Sequence, residues 1–208
     1  MRGVPTAPRS QRVLAAALFE LVHRRTPIPE RLGALTGLTE DAVNAALTEF
    51  ARTGAIVTED GGRLVAAYPL SATPTAHTVE LESSAPWANC AIDALAVPLM
   101  VGQRGRVVST CAHCDSPVRA TVEGQAVLHA EPASLVVAYG RLADCGERPS
   151  LEVSCPYINF FCSPAHAGAW RRPETWQGRV VPVGEALALA VESFRPVIEI
   201  YTHHRPSA

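Results

Sequence analysis

Ala55-Ile56-Val57-Thr58-Glu59-Asp60-Gly61-Gly62-Arg63-Leu64-Val65-Ala66 reads as a β-hairpin: two short apolar runs flank a turn whose glycines supply the positive backbone angles a tight reversal needs. Upstream the pattern is helical. Val13, Leu14, Ala17, Leu18, Leu21 and Val22 form one apolar stripe and predict a first helix from Ser10 to Arg25. A short second segment, Pro29 to Leu35, stops at Thr36-Gly37. Thr39 caps a third helix with Val43, Ala46, Leu47 and Phe50 on one side and Gly54 at its end. Three helices followed by a two-stranded wing give a winged-helix-like arrangement over residues 1–68.

Downstream of the hairpin, Tyr68-Pro69-Leu70-Ser71-Ala72-Thr73-Pro74 is rich in Pro, Ser and Thr, and residues 69–77 are expected to form a linker. Residues 78–208 then alternate strand-like runs with a few helices, so the fold class is α+β. The runs are Thr78 to Leu81, Arg106 to Thr110, Val118 to Val122, Leu135 to Tyr139, Leu151 to Ser154 and Arg179 to Val183. A closing helix follows Gly184, with Leu187, Ala190, Val191 and Phe194 on one face, and His203-His204 read as a solvated tail.

Charge narrows the function. A formal net charge of -2 offers no footprint for nucleic acid or an anionic membrane. The third helix, which would enter a DNA groove, carries Glu40, Asp41 and Glu49 against Arg52, a poor surface for phosphates. Packing or dimerisation is the expected use of this region. The apolar run Val13 to Val22 is too short to span a bilayer and contains Glu20, and no signal-peptide pattern follows the early arginines. A cytoplasmic, reducing location is expected, where 6 cysteines read as thiol or metal chemistry rather than disulfides.

Trp87-Ala88-Asn89-Cys90-Ala91-Ile92-Asp93-Ala94-Leu95 predicts a helix start that Pro98 bends or ends. Cys90 and Asp93 then share a face, and a first-turn position favours the thiolate. The plainer alternative is a small buried cysteine and an Asp that complements the helix dipole. Val153-Ser154-Cys155-Pro156 reads as a strand ending in a second thiol, ahead of Phe160-Phe161.

Cys90-Ala91-Ile92-Asp93-Ala94-Leu95, with Pro98 and Gly102-Gln103-Arg104-Gly105-Arg106-Val107 after it, resembles the active-site segment of organomercurial (alkylmercury) lyases, and so does Cys155 five residues before Phe160. Cys111 stands where that family often has a further, structural cysteine, and Trp170 and the closing strand and helix line up as well. Asn89 departs from the aromatic residue of some relatives, and Tyr157-Ile158-Asn159 from a His-containing stretch in others.

The resemblance implies protonolysis of an organomercurial substrate, releasing a hydrocarbon and Hg(II). Cys90 and Cys155 would hold mercury, a soft cation suited to thiolates, and Asp93 would shuttle the proton. No cofactor is required for this chemistry. External small thiols would release the product, and hand-over of Hg(II) to a mercuric reductase is a further expected partnership. The competing readings are a thiol- or metal-sensing winged-helix regulator without turnover, and a non-catalytic metal-binding scaffold.

Cys111-Ala112-His113-Cys114 has the form of a zinc knuckle, and Cys162 and His166 fall at the entry and first turn of a helix. Cys111, Cys114, Cys162 and His166 are therefore a candidate structural zinc set; the alternative is small buried cysteines and an exposed histidine. Cys145 has no evident partner. Trp87, Trp170 and Trp176 read as core or pocket walls.

Overall fold

Helix α1, Pro8–Val22, opens with Pro at its first position and buries an almost unbroken apolar surface. It ends earlier than the predicted Arg25, because Arg24 turns into the left-handed region at φ 55. Inside it, Glu20 is buried and held by Arg25 at 2.8 Å and Arg31 at 2.6 Å. Helix α2, Pro29–Thr36, and helix α3, Glu40–Thr53, follow. Thr39 caps α3 as expected, accepting from the Ala42 amide at 3.4 Å, and Gly54 ends it at φ 73. The structure is a computed structural model that describes residues 7–59, 62–144, 146 and 148–206.

The hairpin is present: β1, Ile56–Thr58, pairs antiparallel with β2, Leu64–Ala67. Asp60 and Gly61 of its turn lie outside the described residues. The next stretch, read as linker, contributes β3, Leu70–Ser71, which pairs with β2 and with β5, Trp87–Ala88. Strands β4, His77–Glu80, β6, Gly105–Thr110, β7, Pro117–Glu123, and β8, Ala126–Glu131, complete an eight-stranded antiparallel sheet in the order β1-β2-β3-β5-β4-β6-β7-β8. A second antiparallel sheet has the order β10-β9-β11, from β9, Val136–Leu142, β10, Asn159–Phe161, and β11, Trp176–Pro182. Helices packed on antiparallel sheets make the protein a mixed helix-and-sheet fold.

Helix α4, Ala91–Val101, is apolar on all sides and buried at every residue except Leu99, as a helix enclosed by other elements must be. It packs between the sheet and the long closing helix α7, Val183–His204. Pro98 does not end α4, which continues one turn to Gly102. Gly105 lets β6 pass under that proline: a Cβ there would lie 2.7 Å from Pro98 Cγ.

Two expectations are corrected. Leu151 to Ser154 is not a strand but lies in the short helix α5, Ser150–Val153, and Val153-Ser154 leads into a 3-10 turn at Cys155–Tyr157. Pro149 and Pro156 bracket the stretch and remove donors that a sheet would need. His203-His204 is not a tail but the last turn of α7; His203 Nδ1 lies 2.7 Å from Glu199 O and His204 Nε2 3.2 Å from Gln11 Oε1. Helix α6, Pro164–Ala169, is the remaining element.

Candidate active site

Strand β5 delivers Asn89 and Cys90 to the start of α4. Cys90 is the N-cap, in extended conformation, rather than a first-turn residue, and Asp93 sits in the first turn. Asn89 grips the main chain at Pro69, its Nδ2 donating to Pro69 O at 3.2 Å. On the other side the Ala91 amide donates to Ile158 O at 3.1 Å. That bond ties the start of α4 to the turn carrying Cys155, which Ile158 itself closes by donating to Cys155 O at 3.2 Å.

The three predicted residues meet. One ligand atom from each of Cys90, Asp93 and Cys155 lies within 4.8 Å of the others, and all three side chains are buried. Cys155 Sγ is 3.9 Å from Asp93 Oδ2. They line a cavity of about 600 Å³ with Tyr68, Gly140 and Gly178, a volume suited to a small molecule. Gly140 and Gly178 face each other across β9 and β11, and a Cβ on Gly140 would lie 2.7 Å from Gly178 Cα and 2.5 Å from Gln177 O. The pair thins the sheet at the cavity wall.

Burial dominates the electrostatics. It pushes the Asp93 carboxyl up to about 7, against the lowering effect of hydrogen bonding with Cys90, Asn89 and Cys155. Burial also pushes the Cys90 thiol well above its ordinary value, and the neighbouring Cys155 and Asp93 add to this. The expected first-turn stabilisation of a Cys90 thiolate is therefore not realised: full burial and two acidic neighbours outweigh the helix amides.

Sequence reasoning missed Tyr68 and the supporting role of Asn89. Tyr68 is 3% exposed, its hydroxyl has no hydrogen-bond partner among the described residues, and it borders the cavity. Burial first, then the charges of Cys155 and Asp93, push it up and keep it protonated. A tyrosine at the end of the wing carries no sequence signal that it reaches a cysteine far along the chain.

A second cluster is separate from the first. Cys111, Cys114, Cys162 and His166 each place one ligand atom within 4.8 Å of the others. Cys111 is buried, Cys162 and His166 half-buried and Cys114 exposed, so the alternative of small buried cysteines and an exposed histidine does not describe them. Burial of Cys111 is outweighed by hydrogen bonds from the main chain at Cys162, His113 and Cys114, which lower its thiol. Cys145 lies outside the described residues.

Fold and site define a mixed helix-and-sheet protein with a pocket lined by two buried thiols and one buried carboxyl, a donor set for a soft metal centre. Residues 70–195 match the family model for MerB, alkylmercury lyase. The alkylmercury lyase of Pseudomonas putida is 32% identical over 174 residues, covering 83% of this chain and 78% of the relative. Those of Staphylococcus epidermidis and Streptomyces lividans are 30% and 29% identical, covering 83% and 88% of this chain and 77% and 80% of the relatives. A crystal structure of the mercury-bound form of MerB2 shares the fold, with a TM-score of 0.76, 24% identity and 93% of each chain covered. The chain belongs to the alkylmercury lyase family.

Proposed function

We propose that the protein cleaves the carbon–mercury bond of organomercurials by protonolysis, with Cys90 and Cys155 binding mercury and Asp93 moving the proton. The observation that carries this reading is the convergence of the two thiols and the carboxyl on one buried pocket. One thiol displaces the ligand X from R–Hg–X and its proton leaves with X, giving an enzyme-bound S–Hg–R. The second thiol passes its proton to the Asp93 carboxylate and its sulfur attacks mercury, enriching the electron density on carbon. Asp93 then hands the proton to that carbon as the bond breaks, leaving R–H and mercury held by both sulfurs. A carboxyl pushed up to about 7 both accepts and returns a proton near neutrality. The Tyr68 hydroxyl, which lines the same cavity and has no hydrogen-bond partner among the described residues, would donate to the charge that passes through Asp93 and the thiolates.

Two molecules of external small thiol release the mercury and restore both protein thiols; a mercuric reductase is the natural recipient. The work suits a reducing cytoplasm. The winged-helix-like unit that ends at Tyr68 has a packing role, the stretch 69–77 leads from it through β3 into the large sheet, and the residues from Thr78 on carry the chemistry. Among the described residues no helix is long and apolar enough to cross a membrane.

The test is hydrocarbon release. Incubation with methylmercury or phenylmercury and excess thiol should yield methane or benzene, and Cys90→Ser or Cys155→Ser should abolish it. No hydrocarbon from folded, reduced protein refutes the proposal.

A further inference from the structure

Cys111 and Cys114 stand in the connection between β6 and β7 of the large sheet, whereas Cys162 and His166 stand at the junction of β10, from the small sheet, with α6. The knuckle backbone is held by its own hydrogen bonds: the Cys111 amide donates to Ser116 O at 2.8 Å, the Asp115 amide to Cys111 O at 2.9 Å, and Asp115 takes φ 58. The Ala112 amide donates to Phe160 O at 3.0 Å, which ties the knuckle to β10. Ser163 caps α6, accepting from the His166 amide at 3.2 Å, which sets His166 above Cys162.

The spacing of the donor atoms is that of a metal's coordination shell. Zinc bound tetrahedrally at about 2.3 Å to sulfur and about 2.0 Å to nitrogen separates two sulfurs by roughly 3.8 Å, and a sulfur from a nitrogen by roughly 3.5 Å. Cys114 Sγ and Cys162 Sγ are 3.9 Å apart, and Cys111 Sγ and His166 Nδ1 are 3.7 Å apart. Cys162 Sγ and His166 Nδ1, at 3.1 Å, stand closer than that and would be spread by a metal. Three sulfurs and one imidazole nitrogen leave no open position, the pattern of a structural rather than a catalytic zinc.

We propose that Cys111, Cys114, Cys162 and His166 bind one zinc ion that staples the two sheets together behind the active site. The strand it anchors, β10, directly follows the turn carrying Cys155, and Ile158 within that junction receives the Ala91 amide from the catalytic helix. Zinc thereby fixes one thiol of the reacting pair relative to the other.

Full-length protein purified under reducing conditions from zinc-replete medium should carry about one zinc per chain. Cobalt(II) substituted for it should show the visible absorption of a tetrahedral thiolate site. Cys114 is exposed, so Cys114→Ser spares the core. It should lose the zinc and lower the unfolding temperature, while Cys90→Ser should keep the zinc. Reduced wild-type protein that holds neither zinc nor cobalt overturns the proposal. So does zinc retained in Cys114→Ser, or zinc lost from Cys90→Ser, which would place the metal in the other cluster. Protein that holds zinc as stated but releases no hydrocarbon leaves this proposal standing and removes the lyase reading, so the two fail separately.

Discussion

Replacing Asp93 by Asn should make the protein more stable at neutral and alkaline pH while abolishing turnover. Burial raises the Asp93 carboxyl from 3.8 to about 7. Folded protein therefore binds a proton there that unfolded protein has released, at any pH between those values. Its stability falls as pH rises through that window, and is lowest above about 7, where an ionised carboxylate is buried. At roughly 1.4 kcal/mol per pH unit, the rise from 3.8 to about 7 sets the penalty on the order of 4 kcal/mol. Asn keeps an acceptor for the Cys90 and Asn89 hydrogen bonds but carries no charge. Urea unfolding of both proteins at several pH values between about 4 and about 8 reads the difference directly. The advantage of Asp93→Asn should grow by roughly 1.4 kcal/mol per pH unit and level off above about 7. An advantage independent of pH, or an Asn variant less stable at high pH, refutes the assignment of a raised, burial-driven carboxyl.

Tyr68→Phe removes a buried hydroxyl that has no partner among the described residues, so it should stabilise the resting protein by about 1 kcal/mol, read in the same urea experiment. The same variant should lower kcat/KM for phenylmercury about tenfold, the worth of one hydrogen bond made only during reaction; unchanged kinetics would leave Tyr68 as packing alone. Gly140→Ala drives a Cβ to 2.7 Å from Gly178 Cα, separating β9 from β11. It should cost about 1–3 kcal/mol of stability and reduce hydrocarbon release, whereas wild-type stability and activity would show that the wall yields freely.

The helices were legible because their signals are local: the stripe from Val13 to Val22, the Thr39 cap and the Gly54 stop all lie within one element. So was the pairing of Cys90 with Asp93, three residues apart at one helix start. Cys155 is different. It lies 62 residues beyond Asp93, and the bond from Ala91 to Ile158 that brings it in leaves no trace in spacing; only family resemblance singled it out. Strand β8 was missed because its residues are exposed or half-buried on both faces, so no alternation marks it. Leu151 and Val153 alternate like a strand, but Pro149 and Pro156 on either side turn the chain instead. Tyr68 escaped notice because its importance lies in an unpaired hydroxyl, a property of packing.

Single-turnover reaction of phenylmercury with the reduced protein in deuterium oxide, followed by mass spectrometry of the released benzene and by mercury analysis of the protein, tests the central claim most directly. The account predicts monodeuterated benzene, one molecule for each mercury left bound, and none from Asp93→Asn. Unlabelled benzene, release by Asp93→Asn at the wild-type rate, or mercury bound without any hydrocarbon would contradict it.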